Sequence, residues 1–291
     1  METLESLSDL LETTGDIRAI VRVMKSLSAV SIRQYEEAAE ALSGYDRTIE
    51  LGLTALLHDR NARGLPLPGA AATGRSCVVV IGSDRGLCGR YNDVVARFAE
   101  TRLEAGGCLA VIGAQPAARL EAAGHVPDRL FALPGSVAGM GTLVQSVIRA
   151  IDGWTREAGV GRVRLIHNHR AGRATAVPRE RDFLPLPASY LEGLLRSPWP
   201  ARGVPAYRMP PERLLSWLVQ QRAFVTLYRA LAEAMASEHA TRLAAMQAAE
   251  RNIEERQADL AGAYRRKRQE TITRELLDVM AGYEAVGGAD T

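Results

Sequence analysis

The final stretch of the chain, from Pro211 to Thr291, contains no proline after its first residue, and its first glycine is Gly262. Proline and glycine are the residues that most often end a helix, so this stretch predicts one helix of roughly 70 residues, about 100 Å long. Its apolar residues recur mostly at steps of three or four, or sums of these, which indicates a narrow seam that packs against one partner helix. Such an element can transmit motion or hold other parts of a structure apart, but it does not enclose a substrate. The seam consists of Leu214, Trp217, Phe224, Tyr228, Leu231, Met235, Leu243, Met246, Ile253, Leu260 and Tyr264.

The N-terminal segment supplies the partner helix. It has no proline before Pro66, and apolar residues recur every three to five positions along residues 4–58. Two long helices at opposite ends of one chain, with a compact module between them, can pair antiparallel in a left-handed coiled coil. We expect cysteines placed at Met24 and within Arg268–Leu276 to crosslink in such a pair. The N-terminal seam consists of Ile17, Ile20, Met24, Leu27, Ile32, Tyr35, Ala38, Leu42, Tyr45, Ile49, Leu53 and Leu56.

A four-helix bundle is the alternative architecture for two such seams. A bundle needs turn signals about every 20–30 residues, whereas only Gly15, Gly44 and Gly52 interrupt the N-terminal helical pattern. Each of these glycines costs about 1 kcal/mol relative to alanine, which a long helix tolerates. The pattern therefore favours two paired helices.

The hydrophobic period changes between the two helical ends. Short β-branched runs are typical of buried strands, and amphipathic stretches alternate with them. The predicted strands cover residues 76–82, 108–113, 130–133 and 163–167, and the predicted helices cover 91–104, 115–123 and 143–157. This alternation predicts an open, mostly parallel, three-layer α/β domain of the Rossmann-like kind. The expected domains are an N-terminal coiled-coil helix (1–62), the α/β domain (75–205) and a C-terminal coiled-coil helix (211–291).

Composition argues against several functional classes. The 36 basic and 34 acidic side chains nearly cancel, so overall charge does not favour a nucleic-acid partner. Cys77, Cys88 and Cys108 lack the spacing of metal ligands, and the first and last lie in apolar runs typical of reduced core residues. The N-terminus does not resemble a signal peptide, and no segment approaches ~20 uncharged apolar residues. Any association with a membrane is therefore expected to be through partners.

A glycine-rich loop, residues 82–89, follows the first predicted strand, where a doubly wound fold binds nucleotides. Backbone N–H groups of such a turn can hold a phosphate at a helix start. Its sequence, G-S-D-R-G-L-C-G, matches neither G-x-G-x-x-G nor G-x-x-x-x-G-K-[ST]. Asp84 also places a carboxylate where a phosphate would sit, although Arg85 partly compensates its charge. We expect the loop to fix the domain against another surface, with phosphate binding as the alternative.

His167 and His169 alternate along a strand-like run, so both are expected on one face of the sheet. Alternate histidines can bind a metal, but no cysteine or glutamate lies near them in the sequence. We therefore expect both to be solvated residues at a strand end. No Ser/His/Asp ordering and no carboxylate pair assigns a catalytic site, so the sequence predicts a protein that is not an enzyme.

Three segments resemble motifs of one family. Residues 83–89, S-D-R-G-L-C-G, followed by Asn92, resemble the S-D-R-G-L-C-G-x-x-N signature of the gamma (central stalk) subunit of F-type ATP synthases. Residues 236–246 resemble its A-S-E-x-x-x-R-M-x-A-M segment, and residues 268–276 resemble its R-Q-x-x-I-T-x-E-L segment. The matches occur in the family's order at compatible separations. The layout of two helices and an α/β domain is also that of the family, so the resemblance covers the whole chain.

The basic N-terminal run departs from the family pattern. Where the family has I-T-K-A-M-K-M-V-A-A-A-K, residues 20–31 read I-V-R-V-M-K-S-L-S-A-V-S. Met24 and Lys25 match, but Ser26 replaces the second methionine. The resemblance is therefore to a divergent member of the family.

The resemblance implies a rotor shaft that couples ion flow through a membrane rotor to ATP synthesis or hydrolysis in a ring of catalytic subunits. The implied partners are the alpha and beta subunits, the epsilon subunit and the membrane ring of c subunits. The implied location is peripheral, on the cytoplasmic side of a bacterial cell membrane, and no cofactor, metal or catalytic group is implied. The expected subunit contacts are Met24, Lys25, Asp84, Arg85, Arg242, Arg268, Gln269, Thr273 and Glu275.

Two other interpretations stay open at this point. A nucleotide-binding α/β enzyme with helical arms would use the glycine-rich loop. A coiled-coil scaffold unrelated to the synthase would use the two long helices alone.

Overall fold

The computed structural model describes residues 3–67, 74–172, 175–200, 203 and 206–287. The helices of these residues are α1 (Leu4–Ala41), α2 (Ser43–Ala62), α3 (Tyr91–Glu100), α4 (Ala114–Ala122), α5 (Met140–Glu157), α6 (Ala188–Arg196) and α7 (Pro211–Gly287), with a short 3-10 helix at Val137–Gly139. The strands are β1 (Arg75–Ile81), β2 (Cys108–Ile112), β3 (Arg129–Phe131), β4 (Val160–Ala171) and β5 (Thr175–Leu184). The predicted succession of helix, α/β module and helix is confirmed.

The strands of the described residues form one sheet in the order β3-β2-β1-β4-β5. β1 pairs in parallel with β2 and with β4, and β2 pairs in parallel with β3, whereas β5 is antiparallel to β4. The mostly parallel sheet is thus confirmed. The sequence pattern does not predict β5, because Pro178 and several charged residues disguise it. Proline is tolerated in a strand at the edge of a sheet, and β5 lies at that edge.

Strand β1 shows why the domain has three layers. Cys77, Val79 and Ile81 belong to an apolar cluster with α5 and α7, whereas Val78 and Val80 belong to a cluster with α3 and α4. Both faces of the strand are therefore buried, which explains its uninterrupted apolar run. This arrangement confirms the predicted three-layer order.

The cysteines of the domain are core residues. Cys77 and Cys108 are paired positions on β1 and β2, and both are buried and free. Burial raises the pKa of the Cys77 thiol to about 12. The expectation of reduced core residues is confirmed for these two.

None of the helices in the described ranges combines the length and apolarity needed to cross a bilayer.

The N-terminal segment forms two helices and not the single helix predicted for residues 4–58. α1 ends at Ala41 and α2 begins at Ser43, and Leu42 between them has φ −82° and ψ −5°. Helices often kink at serine and glycine pairs, and Ser43 is followed by Gly44. The prediction of one continuous helix is therefore wrong at this point.

The chain divides into two compact units, Met1–Leu27 with Ala244–Thr291, and Ser28–Leu243. In the first unit, Arg18 pairs with Glu254, and Arg22 and Lys25 both pair with Glu250. Residue numbers rise along α1 as they fall along α7, so the two helices run antiparallel in this unit. The predicted antiparallel pairing is confirmed there.

The same ion pairs overturn the crosslink expected between Met24 and Arg268–Leu276. Lys25 lies beside Glu250, and Arg268 lies about five helical turns further along α7, a distance of about 27 Å. The apolar repeat determines which faces of two helices meet. Their register depends on side chains at the rim, which the repeat does not specify.

Several residues of the predicted N-terminal seam are exposed. Ile17, Ile20 and Leu27 are 47%, 59% and 62% exposed, whereas Leu7 and Val21 are buried. A single partner helix covers only a narrow stripe, so apolar residues beside that stripe stay uncovered within the described part of this unit. The prediction that these three residues face the partner is wrong.

In the second unit, α2 and α7 are joined by a buried carboxylate. Asp46 is 7% exposed and pairs with both Arg222 and Arg229 of α7. Leu53 and Leu218 belong to the apolar cluster beside this pair. α2 and α7 are also antiparallel. Asp46 near the start of α2 pairs with Arg222 and Arg229, whereas Arg60 near its end pairs with Glu212 at the start of α7.

The middle of α7 is buried more completely than a narrow seam allows. Leu227, Ala230, Ala232 and Ala234 are all fully buried, and all four join the cluster that covers β1. Alanine lets the helix backbone approach the sheet closely while keeping a high helix propensity. α7 is therefore part of the core of the α/β domain, which the seam analysis does not predict.

Candidate functional site

The loop that follows β1, residues 82–89, is held by its own polar side chains. Ser83 N–H donates to Asn92 Oδ1 at 3.0 Å, and Asn92 Nδ2 donates to Ser83 Oγ at 2.8 Å. Ser83 Oγ in turn donates to the Arg85 carbonyl at 2.8 Å. A Cβ at Gly82 would lie 2.4 Å from Pro116 Cγ, so no side chain fits there. The loop is thus a rigid turn between β1 and α3.

Asp84 of this loop binds two backbone N–H groups that lie outside the loop. Its Oδ1 accepts from the Ala114 N–H, in the first turn of α4, and its Oδ2 accepts from the Leu133 N–H, both at 2.8 Å. A carboxylate is stabilised at a helix N-terminus by the same donors and dipole that bind anions. The Asp84 carboxylate therefore acts as an internal acceptor for the start of α4 and for the chain at Leu133.

Arg242 of α7 joins the loop to the long helix. Its guanidinium forms an ion pair with Glu238 one turn earlier, and it donates to the Gly86 carbonyl at 3.2 Å. The side chains of Arg242 and Glu238 are only 7% and 4% exposed. A buried arginine and glutamate must satisfy each other, because an unpaired buried charge is costly. The expectation that the loop fixes the domain against another surface is confirmed, and that surface is α7.

The contact between the loop 82–89 and α7 around Arg242 and Glu238 is called the junction. Burial, and the charges nearby, shift the pKa of its members. Burial raises the pKa of Glu238, and Arg242 opposes that shift. Burial lowers the pKa of His239 to about 4, with Arg242 and Arg85 adding to the effect. His239 stacks on Tyr35 of α1 with ring centroids 5.6 Å apart. The junction thus contains one buried ion pair beside a histidine that is neutral at physiological pH.

Tyr91 forms the second attachment between the domain and α7. Its hydroxyl donates to the Ala234 carbonyl at 2.8 Å, and its own carbonyl accepts from Asn168 Nδ2 at 2.8 Å. Burial raises the pKa of the Tyr91 hydroxyl well above its usual value, so it stays protonated and can donate. β4, α3 and α7 are therefore connected through two side chains.

The two histidines of β4 differ in their surroundings. His167 is fully buried, so the expectation of a solvated residue is wrong for it. Burial lowers its pKa to about 4. His169 Nδ1 lies 2.9 Å from the Val177 carbonyl. Within the described ranges, no group of three or more His, Cys, Asp or Glu side chains is arranged to hold a metal ion.

The expected subunit contacts fall into two groups in the structure. Asp84, Arg85 and Arg242 lie together at the junction, where the Arg85 side chain is exposed. The others lie along α1 and α7 in the first unit. Lys25 pairs with Glu250 and Met24 is half-buried, whereas the residues of the C-terminal motif are exposed. Those exposed residues are Arg268, Gln269, Thr273 and Glu275.

Sequence reasoning missed several members of the junction. Glu238 lies four residues before Arg242 on a helix, a spacing that signals an ion pair and so could have identified it. Tyr91, Tyr35 and Asn168 carry no such local signal. They reach the junction from α3, α1 and β4, and only the tertiary fold brings these elements together.

The sequence matches the model of a family described as ATP synthase over residues 3–286. The ATP synthase gamma chain of Granulibacter bethesdensis is 31% identical over 306 residues, covering 98% of this chain and 100% of that one. The ATP synthase gamma chain of Geotalea uraniireducens is 26% identical over 296 residues, covering 99% of this chain and 100% of that one.

Solved structures contain the same fold. A chain of the Euglena gracilis mitochondrial ATP synthase, in a structure of OSCP, F1 and c-ring, matches with a TM-score of 0.70 at 16% identity, covering 99% of this chain and 96% of that one. A chain of the rotor of the same enzyme matches with a TM-score of 0.66 at 15% identity, covering 92% and 98%. At these identities the likeness establishes the fold alone.

Proposed function

Because this chain belongs to the ATP synthase gamma-chain family, we propose that it is the central-stalk rotor subunit of an F-type ATP synthase. It couples ion flow through a membrane rotor to ATP synthesis or hydrolysis in the catalytic ring. The observation that carries this proposal is α7, a helix of 77 residues that belongs to the core of the α/β domain and pairs with α1 in the other unit. Torque applied to the domain therefore enters α7 directly.

We further propose the partners of this assembly. The two similar Euglena gracilis chains come from structures of the rotor and of OSCP, F1 and c-ring. By analogy, the alpha and beta subunits surround the paired helices, and the epsilon subunit and the ring of c subunits meet the α/β domain. The chain would then be peripheral, on the cytoplasmic side of a bacterial cell membrane, and would reach the membrane only through these partners.

The chain itself is proposed to be non-catalytic and to need no cofactor. The strongest support is Asp84, whose carboxylate takes up the N–H groups of Ala114 and Leu133 at the edge of the sheet where nucleotides bind in related folds. The catalytic ring supplies the nucleotide chemistry. The shaft contributes by touching each ring subunit differently, so that each angle of rotation favours a different set of open and closed sites.

Two kinds of subunit contact are proposed. Met24, Lys25 and the exposed C-terminal residues Arg268, Gln269, Thr273 and Glu275 would meet the ring directly. Asp84 and Arg242 would act by holding the loop in place, because both are engaged inside the chain. Arg85 and Leu87 would be the residues that this loop presents. Leu87 supports the idea, since it is 63% exposed and has a φ of 62°, a conformation that costs a non-glycine residue about 1 kcal/mol or more.

The proposal is tested by reconstituting the chain with alpha and beta subunits and attaching a gold rod to a cysteine at Glu121 on α4, an exposed position of the α/β domain. ATP should drive stepwise rotation in one direction. The control is the same complex with non-hydrolysable ATP analogue, which should show no rotation. A chain that assembles with the ring but stays fixed during ATP hydrolysis would contradict the rotor function.

The rival interpretation, a nucleotide-binding enzyme, predicts a different result. The isolated chain offered labelled ATP, ADP or NAD should bind none appreciably if Asp84 occupies the phosphate position. Micromolar binding that is lost when Asp84 or Arg85 is replaced would favour the enzyme. An unrelated scaffold would fail to assemble with the alpha and beta subunits at all.

A further inference from the structure

A cavity of about 210 Å³ lies between α1, the β4–β5 hairpin and α7, inside the unit Ser28–Leu243. Its polar lining consists of Tyr35, Glu36, His169, Arg170, Arg179 and Glu233. Pockets that hold drug-sized ligands are about 300–1,000 Å³, so this one fits a smaller species. None of these six residues serves the subunit contacts proposed above.

The lining contains two arginines and two glutamates, and Arg181 beside it adds a third guanidinium. Arg170 Nη1 donates to Glu36 Oε1 at 2.7 Å, and Arg181 donates to Glu233 Oε2 at 3.0 Å. Each lining carboxylate therefore already has its own arginine. Arg179 is half-buried, and among the residues described it makes no hydrogen bond or ion pair. One guanidinium with five N–H donors is left over for a ligand.

Two further polar groups line the cavity. Tyr35 is 4% exposed, and its hydroxyl makes no hydrogen bond within the described part of the chain. The Val177 carbonyl can only accept, so His169 donates to it from Nδ1, and this bond does not use Nε2. The surroundings are positive as well: burial lowers the pKa of nearby His167 to about 4, and Arg181, Arg179 and His169 contribute to that shift.

We propose that this cavity binds a small tetrahedral oxyanion of the phosphate type. Arg179 provides the main charge-assisted hydrogen bonds, and the free nitrogen of Arg170 and the Tyr35 hydroxyl complete the site. Phosphate suits it because planar guanidinium groups bind phosphate oxygens in pairs. The bound anion would link α1 and α7 to the two strands that face them. This proposal does not depend on the rotor function.

The test measures binding of inorganic [32P]phosphate to the isolated full-length chain by equilibrium dialysis, with ionic strength held constant by chloride. Saturable binding of one phosphate per chain is expected. Arg179→Gln should weaken it about tenfold or more, since hydrogen bonds to charged groups are strong, whereas Arg179→Lys should retain part of the affinity. Arg156→Gln is the matched control, because Arg156 is exposed on α5 and far from the cavity in the chain.

The R179Q variant should fold normally, because Arg179 has no hydrogen-bond or ion-pair partner to lose among the described residues. A loss of phosphate binding in R179Q would therefore not reflect misfolding. Circular dichroism of R179Q should match that of the wild type. Sulfate should compete with phosphate. Competition by ADP at equal concentration would identify the phosphoryl group of a nucleotide as the natural source, and failure of ADP to compete would identify free phosphate.

Absence of saturable binding, or an equal loss of affinity in R179Q and R156Q, would overturn the proposal. Neither result would bear on rotation, which is measured on the assembled ring. A second readout is the thermal midpoint of the chain, which should rise with phosphate concentration in the wild type and stay constant in R179Q.

Discussion

The Arg242 guanidinium donates a 3.2 Å hydrogen bond to the Gly86 carbonyl, so α7 holds the loop after β1 through one of its own side chains. The same guanidinium pairs with Glu238. Because Arg242 is buried and makes both contacts, its substitution should destabilise the protein.

Arg242→Ala should lower the free energy of unfolding by about 3–5 kcal/mol, because it leaves Glu238 as an unpaired buried carboxylate. Urea unfolding at pH 7 measures the effect. Arg33→Ala removes an exposed pair with Glu37 and should cost less than about 1 kcal/mol. A loss no larger than that of the control would show that the buried pair contributes nothing to stability.

The Arg242→Ala penalty should also depend on pH. Burial already raises the pKa of Glu238, and removal of Arg242 takes away the charge that opposes this shift. A group whose pKa is raised by folding loses stability as pH rises through that pKa, so the variant gains on acidification. The difference from the wild type should therefore shrink between pH 7 and pH 4. A constant difference would exclude Glu238 as its cause.

His239 should make the protein sensitive to acid. Its pKa is lowered to about 4 by burial, whereas an unfolded histidine has a pKa near 6.5. Unfolding takes up a proton in this window, so stability falls as pH drops from about 6.5 to about 4. His239→Gln should reduce that decline by about 2 kcal/mol in urea titrations at pH 7 and pH 4. His125→Gln, outside the junction, should leave the decline unchanged.

Asp84 should stabilise the loop through its two acceptor oxygens. Asp84→Ala leaves the Ala114 and Leu133 N–H groups without their acceptor, which should cost about 2–4 kcal/mol in total. Asp84→Asn keeps one acceptor and should cost less. The control Asp152→Ala removes an exposed pair on α5. Equal thermal midpoints for D84A and the control would mean that water replaces the carboxylate without cost.

The register of α1 and α7 can be measured by crosslinking. Cysteines replacing Lys25 and Glu250 should react together with a short bismaleimide, because their parent side chains form an ion pair. Cysteines replacing Lys25 and Arg268 should not, since about 27 Å of helix separates Arg268 from Glu250. The reverse pattern would show that the helices pair in another register.

The exposed C-terminal residues should affect coupling more than stability. Replacing Gln269, Thr273 and Glu275 together with alanine should change stability little, since exposed helix positions usually contribute less than about 0.5 kcal/mol each. ATP hydrolysis by the reconstituted complex should persist while ion pumping falls, because the shaft slips. Unchanged coupling in a normally assembled complex would remove these residues from the contact surface.

The broad architecture follows from local patterns in the order of residues. The stretch after Pro211 predicts a long helix because neither proline nor an early glycine interrupts it. The β-branched runs predict buried strands because apolar side chains on both faces need cover. The three motifs also identified the family, since they preserve order and spacing along the whole chain. These are local or compositional properties, which the order of residues expresses directly.

The contacts between distant residues depend instead on how the elements pack together. Nothing near Tyr91 in the sequence specifies Ala234 as its acceptor, and nothing near Lys25 specifies Glu250. The apolar repeat of α1 places Ile20 in the seam, but the single partner helix covers a narrower stripe and leaves Ile20 exposed. The sequence pattern does not predict strand β5 either, because Pro178 has a low strand propensity. At the edge of the sheet, pairing with β4 outweighs that propensity. Contacts between elements depend on many weak interactions summed over the whole chain, so no single segment of the sequence specifies them.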